Sequence, residues 1–576
     1  MSQNNKYKLE LTWIGKNDER QPLEPRILIE NKEYSYGEPE NGVLPNGKPW
    51  KGNMLIHGDN LLALKALEQD YSGQVKCIYI DPPYNTGSAF EHYDDNLEHS
   101  IWLQLMRLRL ETLYNLLSSD GFICCHIDDS EGHYLKILMD EIFGRDNYLT
   151  TFYVRVRYPD KTLKQDMDFH KEIEYIHVYR KSSEAKPNLE EVDITYEKYN
   201  YYIKETGEFE TITLGGKKVD IFKKGNWVIE KGNGSEEGRK EIWASGTILD
   251  GNSSGRFFRD YINGRYTNDG YGALYKVYGI GDDKFDFRYF TGPQKEGATK
   301  GKYYQGIPLE KLENKEKKQT KPINNFYDLA SYFGNCRNEG KADFRGGKKP
   351  EILIKLILKY FSNEKDLVLD SFLGSGTTAA VAHKMNRRYI GVEIGNHAYT
   401  LCYPRLVNIV DNRDNSGISK ELKSISKVGF KFYELAPSLL KEDKFGNLVI
   451  NKEYNADMLA AAMAKQEGYT YQPDAEVYWK QGYGSETDYI YTTTQFMTVE
   501  ALAAIHETMA EGESLLVCCT SFQKECKQAF PNISIKKIPQ MLLGRCEFGK
   551  DDYSLNIIEL PEEEFEDEDD IYEEDI

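Results

Sequence analysis

The stretch of sequence that decides the fold is Val75-Lys76-Cys77-Ile78-Tyr79-Ile80-Asp81-Pro82-Pro83-Tyr84. Its first part is an almost continuous apolar run, which is typical of a strand buried on both faces of a parallel sheet. The two prolines cannot continue a central strand, because proline has no backbone N–H for the ladder. The chain is therefore predicted to leave the sheet at Asp81, at the carboxyl end of the strand.

Strands and helices alternate on both sides of this stretch. Asn53 to Asp59 is an apolar strand that leads into a turn, and the leucines from Leu61 to Leu67 give the next segment an apolar helical face. Ser100 to Ser119 has apolar residues at helical spacing, and Phe122 to Ile127 is another buried strand. This alternation predicts an α/β fold with a doubly wound parallel sheet, in which ligands bind beyond the carboxyl ends of the strands.

The same rhythm returns far downstream. Pro350 opens a helix over Glu351 to Phe361, Leu367 to Leu369 is a strand, and Arg388 to Glu393 is another. Between the two halves, residues 182–342 are rich in Gly, Asn, Asp and Tyr and contain only short, irregular apolar runs. We therefore expect one sheet that is split by a loop-rich inserted domain.

The net charge is −20, which at first sight argues against a nucleic-acid partner, because phosphate binding requires basic surface. The distribution of the charge matters more than its sum. Residues 561–576 carry eleven carboxylates and no Lys or Arg, whereas residues 296–350 hold twelve Lys or Arg against seven Asp or Glu. The second segment is locally basic, although a solvated loop face explains such an excess nearly as well.

Cysteine usage and the N-terminus indicate the compartment. The nine cysteines include no Cys-x-x-Cys pair and no metal-ligand spacing, which is typical of reduced thiols in a cytosolic protein. The first ten residues lack the basic start and apolar stretch of a signal peptide, and no run reaches membrane-spanning length. We therefore expect a soluble, cytoplasmic protein.

A glycine-rich turn follows the strand at Leu369 and reads Asp370-Ser371-Phe372-Leu373-Gly374-Ser375-Gly376-Thr377-Thr378. Glycines let the backbone approach a ligand closely, and an acidic residue at the end of the next strand can hold ribose hydroxyls. Glu393 lies 23 residues after Asp370, near the spacing of roughly 20 expected for such an acid. Taken alone, the turn is explained equally well as a tight connection between a strand and a helix.

The tetrapeptide Asp81 to Tyr84 at a strand end is a rarer combination. The exocyclic amine of a base is a poor nucleophile, because its lone pair is delocalised into the ring. The Asp81 carboxylate and the Pro82 carbonyl would accept hydrogen bonds from this amine and orient its lone pair, and Tyr84 offers a face on which an extruded base can stack. A proline-rich turn with a capping aspartate would be the better explanation if no nucleotide-like site were present. The glycine-rich turn supplies that second motif.

With both motifs in place, the chain resembles the β-class amino-methyltransferases of DNA, and in particular the modification (Mod) subunit of type III restriction-modification systems. Asp81 to Tyr84 matches the catalytic motif of that class, and Phe372 to Thr378 matches its cofactor motif. The catalytic motif comes first, and this permuted order with a recognition insert between the motifs marks the β class. Gly346 to Ile354 corresponds to a helix start that contacts the cofactor, although the class commonly has Pro-Lys-Pro where this chain reads Gly-Lys-Lys-Pro.

The resemblance implies a Rossmann-like methyltransferase sheet that binds S-adenosyl-L-methionine and methylates N6 of an adenine flipped out of duplex DNA. It implies that Asp59 contacts the adenine of the cofactor, Glu393 its ribose, and Phe372 with the turn Gly374 to Thr378 its methionine part. Asp59 is explained about equally well as a helix cap, and Asp370 as a strand-end cap. The implied cofactor residues are Asp59, Asp370, Phe372, Gly374, Gly376, Thr377, Thr378 and Glu393.

The chemistry requires no metal. His126 and His133 flank Asp128 and Asp129, but helix caps and polar groups at a sheet end are commoner explanations for such residues than metal ligands. No metal site is therefore expected.

The predicted organisation has six segments. Residues 430–560 have their own α/β rhythm without a catalytic motif, and the acidic segment after them has too little apolar content to fold. The segments are an N-terminal arm (1–45), the catalytic half of the methyltransferase domain (46–182), an inserted target-recognition domain (183–342), the cofactor-binding half (343–429), a smaller C-terminal α/β domain (430–560) and a disordered acidic tail (561–576).

The resemblance also implies a homodimer that binds double-stranded DNA and pairs with a separate ATP-dependent restriction (Res) subunit. The chain itself has no Walker-type phosphate loop and no nuclease motif. Other functions stay open: a stand-alone adenine methyltransferase, a cytosine-N4 methyltransferase, a methyltransferase of protein glutamine or RNA, or a non-enzymatic DNA-recognition scaffold for a nuclease. Asp81 favours adenine, because cytosine-N4 enzymes usually have Ser in that position and the protein or RNA enzymes usually have Asn.

Overall fold

The computed structural model describes residues 10–17, 22–84, 95–159, 169–192, 196–244, 253–298, 300–309, 312, 319–344, 347–422, 425–538, 542, 546–551 and 553. The chain divides into two compact units, residues 1–188 with 324–576 and residues 189–323. The second unit falls inside the insert predicted at 183–342 and is shorter at both ends. No helix among the described residues is both long and apolar enough to cross a membrane.

The larger unit contains a ten-stranded sheet to which both flanks of the insert contribute. Its strands, numbered in chain order, are β1 (Leu28–Glu30), β2 (Asn53–His57), β3 (Val75–Ile80), β4 (Leu117–Ile127), β5 (Tyr148–Arg155), β6 (Ile173–Arg180), β7 (Phe326–Asp328), β8 (Leu367–Asp370), β9 (Arg388–Glu393) and β10 (Phe430–Leu435). Their spatial order is β1-β10-β2-β9-β8-β3-β4-β6-β5-β7. The run from β10 to β4 is parallel throughout, and β6 lies antiparallel to β4. The predicted α/β fold is confirmed.

The centre of this sheet joins the two halves of the chain. Strand β8 pairs with β9 on one side and with β3 on the other, where Val368 lies opposite Cys77. From β8 the chain proceeds to β9 in one direction across the sheet, and from β3 it proceeds to β4 in the other. The boundary between β8 and β3 is therefore a topological switch point, where open α/β sheets bind their ligands.

Helices cover both faces of the sheet, and they are α1 (Asn60–Tyr71), α2 (Asp95–Leu116), α3 (Gly132–Phe143), α4 (Glu351–Phe361), α5 (Thr377–Lys384) and α6 (Tyr403–Val410). The helix expected over Ser100 to Ser119 begins earlier and ends at Leu116, because β4 begins directly after it. The apolar side chains of α1, α2 and α3 and of the central strands form one large core.

The N-terminal segment is more than an arm outside the sheet. Strand β1 pairs antiparallel with β10 at the edge of the sheet, and Trp13 and Leu44 pack in the main core. Arg26 is buried as well. Strand β1 was not predicted from the sequence, because a run of three residues carries almost no periodicity.

The smaller unit is built from strands, which corrects the expectation of a loop-rich domain. Its six-stranded antiparallel sheet contains, in spatial order, Phe209–Leu214, Lys217–Phe222, Leu274–Tyr278, Phe287–Thr291, Lys302–Gln305 and Lys240–Trp243. Two-stranded sheets pair Tyr201–Glu205 with Trp227–Lys231 and Glu190–Val192 with Gln319–Lys321, and short helices span Ser253–Phe257, Phe258–Ile262 and Tyr266–Asp269. Gly215 and Gly216 both have positive φ and form a two-residue hairpin turn. Glycine turns of this kind raise the glycine content of the insert, and that content had suggested a loop-rich domain.

The C-terminal region has a separate five-stranded sheet within the larger unit. Its strands, in spatial order, are Thr470–Tyr471, Gly482–Ser485, Asp488–Met497, Ser514–Phe522 and Ile533–Lys537. The same region contains the helices Ala456–Gln466 and Val499–His506, which agrees with the α/β rhythm predicted for it. The acidic tail predicted at 561–576 lies outside the described residues.

The other elements of the larger unit are short. They are the strand pairs Gly42–Val43 with Pro49–Trp50 and Leu440–Glu442 with Leu448–Ile450, the helix Ala330–Asn335, and single turns at Arg145–Asn147, Cys336–Lys341, Ala398–Cys402, Gly417–Glu421 and Lys524–Gln528.

A fully buried ion cluster ties three helices together beneath the glycine-rich turn. The Glu351 carboxylate at the start of α4 lies 2.7 Å from Lys384 Nζ of α5 and 2.8 Å from Arg405 Nη2 of α6. Lys384 also lies 2.6 Å from Asp414. Arg405 Nη1 donates to the Ser375 carbonyl at 3.1 Å, so the cluster also holds the turn itself.

Because Glu351 balances two buried cations, Glu351→Gln should lower the free energy of unfolding by about 3–5 kcal/mol, the usual cost of removing one partner from a buried ion pair. Urea denaturation of the purified protein measures this change. Glu421→Ala, which removes an acid paired with Lys355 near the surface, is the matched control and should change stability by about 1 kcal/mol or less. Equal losses in the two variants would contradict the assigned importance of the cluster.

Candidate active site

The two sequence motifs meet at one cavity at the switch point. The cavity has a volume of about 310 Å³ and lies beyond the carboxyl ends of β3 and β8. Its lining includes Asp81, Pro82, Pro83, Tyr84, Asp370, Phe372, Gly374, Thr377 and Thr378 among the predicted site residues. Residues separated by almost three hundred positions therefore form one site, because their strands are neighbours in the sheet.

The tetrapeptide is held in place by hydrogen bonds. Trp102 Nε1 of α2 donates to the Pro83 carbonyl at 2.8 Å, and the indole is fully buried. The Tyr84 hydroxyl donates to Asp81 Oδ1 at 2.8 Å. Burial, together with the neighbouring carboxylates of Asp81 and Glu174, raises the pKa of Tyr84 well above its usual value. Tyr84 therefore stays a neutral donor.

Lys349 is a residue of this site that the sequence reading did not single out. Its Nζ lies 2.9 Å from Asp81 Oδ2 and 2.8 Å from the Tyr84 hydroxyl, and its side chain is only 7% exposed. Burial alone would lower the pKa of Lys349, but Asp81 and Glu174 raise it, so the ammonium stays charged. The available signal was the Pro-Lys-Pro pattern of the class, whose lysine corresponds to Lys349 directly before Pro350.

Glu174 and His126 extend the polar cluster behind Lys349. Glu174 Oε2 lies 3.6 Å from Lys349 Nζ and 2.8 Å from His126 Nε2, and His126 Nδ1 contacts the Tyr79 hydroxyl at 2.8 Å. Burial would raise the pKa of Glu174, but Lys349 and His126 lower it well below its usual value. No local pattern in the sequence indicated Glu174, because it lies on β6 and reaches the site only through the folded sheet.

Asp370 ends β8 and organises the glycine-rich turn. Its Oδ1 accepts from the Phe372 backbone N–H at 2.9 Å, and its Oδ2 accepts from Thr378 Oγ1 at 2.6 Å. Burial, with added repulsion from Asp81 and Glu393, raises the pKa of Asp370 to about 7. Asp370 thus caps the strand end, as one interpretation predicted, and it also lines the cavity.

The two glycines of the turn have different tasks. Gly374 has φ +54°, and a β-carbon added to it would meet no atom within 4 Å. Gly376 has φ +79° and precedes α5, and a β-carbon there would lie 3.2 Å from Cys402 Sγ. Gly374 therefore leaves room in the cavity, whereas Gly376 permits close packing beneath it.

Glu393 lies beside the turn rather than in the cavity lining. Its Oε2 accepts from the Gly374 N–H at 2.7 Å, and its Oε1 accepts from the Gly395 N–H at 2.8 Å. The carboxylate therefore fixes the outer side of the turn at the end of β9.

Asp59 does not join this cavity. Its Oδ1 accepts from the Leu62 N–H at 3.0 Å, which makes it the N-cap of α1. Its Oδ2 accepts from the Tyr553 backbone N–H at 2.9 Å and lies 3.5 Å from Arg109 Nη2. In the structure Asp59 is thus a helix cap, which is one of the two interpretations of its Gly-Asp-Asn turn.

Within the part of the chain that the structure describes, no group of three or more His, Cys, Asp or Glu side chains is arranged to hold a metal ion. The residues considered as metal ligands have other contacts: the His126 ring contacts Glu174 and the Tyr79 hydroxyl, and Asp128 accepts from the Ser130 N–H at 2.9 Å.

Comparison with known proteins places these motifs in a family. Residues 75–403, more than half of the chain, match the DNA methylase family (N6_N4_Mtase). The chain is 33% identical over 419 residues to the probable type III restriction-modification enzyme HindVI Mod subunit of Haemophilus influenzae, covering 67% of this chain and 54% of that protein. It is 27% identical over 484 residues to the EcoPI Mod subunit of Escherichia phage P1, covering 73% of this chain and 70% of that protein.

The chain thus spans about half the length of the HindVI relative and more of the EcoPI relative. The matched family region begins at the first residue of β3 and extends past the glycine-rich turn and β9, so it includes both motifs and the insert between them. On this evidence the chain belongs to the DNA methylase family of N6 and N4 amino-methyltransferases.

Proposed function

We propose that this protein is a site-specific DNA methyltransferase that transfers a methyl group from S-adenosyl-L-methionine to N6 of an adenine flipped out of duplex DNA. The observation that carries the proposal is the shared cavity, which the tetrapeptide and the glycine-rich turn line together. The family match and the names of the Mod relatives support the same activity.

The residues of the turn fit the proposed cofactor. No atom of the residues that the structure describes occupies the space beside the Gly374 backbone, where a side chain would lie in another residue. The methionine part of the cofactor can therefore approach the backbone there. Asp370 places a carboxylate in the lining of this space, which suits a cationic ligand, and Glu393 supports the turn from its outer side. The geometry supports Phe372 and the turn Gly374 to Thr378 more strongly than Asp59, whose carboxylate is occupied as a cap.

Bound S-adenosyl-L-methionine would supply a methyl group on a sulfonium, which leaves as a neutral thioether. The chain must then orient the amine, and orientation dominates when the leaving group is already good. Asp81 accepts a hydrogen bond from the amine and directs its lone pair, and Tyr84 lies in the same wall for stacking of the base. The amine nitrogen becomes cationic as it gains the methyl group, so the Asp81 carboxylate stabilises that charge and receives its proton.

Recognition and partners form the second part of the proposal. We assign target recognition to residues 189–323, because this separate unit interrupts the methyltransferase sheet between the two motifs. The names of the Mod relatives support a role as the modification subunit of a type III restriction-modification system. From the sequence resemblance we further propose that the protein acts as a homodimer and pairs with an ATP-dependent restriction subunit. If no restriction subunit binds the protein, we conclude that it acts as a stand-alone DNA methyltransferase.

The proposed activity predicts a specific methylation pattern. DNA from cells that express this chain alone should carry N6-methyladenine at one short sequence when methylated positions are mapped at base resolution. Asp81→Ala should lower the methylation rate of the purified enzyme by about 100-fold or more, because it removes the acceptor that orients the amine and stabilises its charge.

The control is Asp120→Ala, which removes an exposed carboxylate paired with Lys76 at the opposite end of the sheet and should leave activity unchanged. Cofactor binding by the Asp81 variant, measured by calorimetry, should persist. Full activity of Asp81→Ala would refute the assignment of Asp81, and N4-methylcytosine in the mapped DNA would refute the choice of adenine.

Cofactor binding should depend on pH through Asp370. Its pKa is raised to about 7 in the ligand-free protein, and a cationic ligand favours the ionised carboxylate, so binding lowers that pKa and releases a proton. Affinity should therefore be highest above pH 7 and fall by up to about tenfold per unit below it. Calorimetric Kd values at several pH values test this, and Asp370→Asn should flatten the profile. A wild-type profile as flat as that of the variant would contradict the prediction.

A further inference from the structure

The wall of the cavity holds a hydrogen-bond acceptor and a donor side by side. Asp81 Oδ2 and Lys349 Nζ are 2.9 Å apart, and both residues line the cavity. The lysine comes from the segment before α4, on the far side of the insert from Asp81. In the proposed methyl transfer only the acceptor, Asp81, has a role.

We propose that Lys349 recognises the ring nitrogen next to the exocyclic amine of the target base, which is N1 in adenine. This inference rests on the proposed function and adds a base-recognition residue to it. The edge of adenine presents an amine donor at N6 beside an acceptor at N1. Asp81 accepts from the first and Lys349 donates to the second, so the two side chains read this edge as a pair.

The charges around Lys349 suit this task. When Asp81 turns to the amine, Lys349 keeps Glu174 Oε2 as a counter-charge at 3.6 Å. Glu174 is in turn held by His126 Nε2 at 2.8 Å. The ammonium therefore stays charged and positioned after the base enters, and it does not need to leave the site.

The donor and acceptor order also excludes other bases. Guanine and thymine present a carbonyl oxygen beside a ring N–H, which is the opposite polarity. Asp81 would then face a carbonyl oxygen and Lys349 an N–H, so both contacts would be lost and buried charges left unpaired. Cytosine presents the same order as adenine, with N3 beside its N4 amine, so Lys349 does not distinguish these two amines.

Lys349 is expected to orient the base rather than to activate it. A hydrogen bond to N1 draws electron density away from the amine, so it does not increase the nucleophilicity of N6. The contribution of Lys349 should consequently depend on N1 and disappear when N1 is absent. A purely structural lysine would show no such dependence.

The first test uses the unaltered enzyme and short duplexes with analogues at the mapped target adenine. Replacing adenine by 1-deazaadenine should lower kcat/KM by about 10- to 100-fold, as expected for loss of a hydrogen bond to a charged donor. The 7-deazaadenine duplex is the control and should be methylated like adenine, because it keeps N1. Equal methylation of the 1-deazaadenine and adenine duplexes would overturn the proposal.

The second test asks whether the effect of N1 passes through Lys349. Lys349→Met removes the donor at similar length, and it should lower kcat/KM for adenine while abolishing the difference between adenine and 1-deazaadenine. Lys355→Met, on the helix α4 that begins just after Lys349, is the matched control; Lys355 pairs with Glu421, and this variant should keep the full difference. If Lys349→Met still discriminates between the two duplexes, another residue reads N1 and the proposal is wrong.

The outcomes separate this inference from the proposed function. If the unaltered enzyme methylates neither adenine nor cytosine in DNA, the proposed function itself fails. If cytosine is the product, the same comparison is made with 3-deazacytosine, because N3 is then the nitrogen that Lys349 should contact. Cofactor binding by Lys349→Met, measured by calorimetry, shows whether the variant is folded, and the analogue test with the unaltered enzyme decides the question if it is not.

Discussion

The pairing of β3 with β8 is the constraint on which the rest of the site depends. Val368 lies opposite Cys77, so two strands from distant parts of the chain end side by side. A parallel sheet sends its strand ends to one edge, and the switch in direction at this pair leaves a crevice there. Asp81 follows β3 and Asp370 ends β8, so both residues line one cavity. The glycine turn and the buried Glu351 cluster then hold the cofactor side of that cavity in shape.

The cavity wall concentrates charged groups that are costly to bury. Asp81, Lys349, Glu174 and His126 form a chain of contacts in which each charge has a partner. Burying ions stabilises a fold little, because desolvation offsets their attraction. Its benefit is preorganisation, since fixed dipoles and charges need no rearrangement when charge develops on the substrate. The arrangement is therefore better explained by function than by stability.

The sequence predicted the fold best where strands are buried on both faces. Strand Val75–Ile80, helix Glu351–Phe361 and strand Arg388–Glu393 have the predicted bounds, because their apolar runs and prolines mark them locally. The tetrapeptide proposed to be catalytic and the glycine-rich turn were noticed for the same reason. Lys349 and Glu174 were not, since only long-range packing brings them to Asp81. The insert was misjudged because short strands between glycine turns have the composition of loops.

The split sheet also has a consequence for how such enzymes diversify. The two halves of the site are held together by the hydrogen bonds between β3 and β8, whereas residues 189–323, which lie between the two strands in the sequence, form a separate compact unit. This inserted unit can therefore lengthen, shorten or change its fold while the groups at the strand ends keep their positions. In evolutionary terms, one inserted unit can be exchanged for another at this point of the chain, so the proposed target recognition and the proposed chemistry are able to change independently.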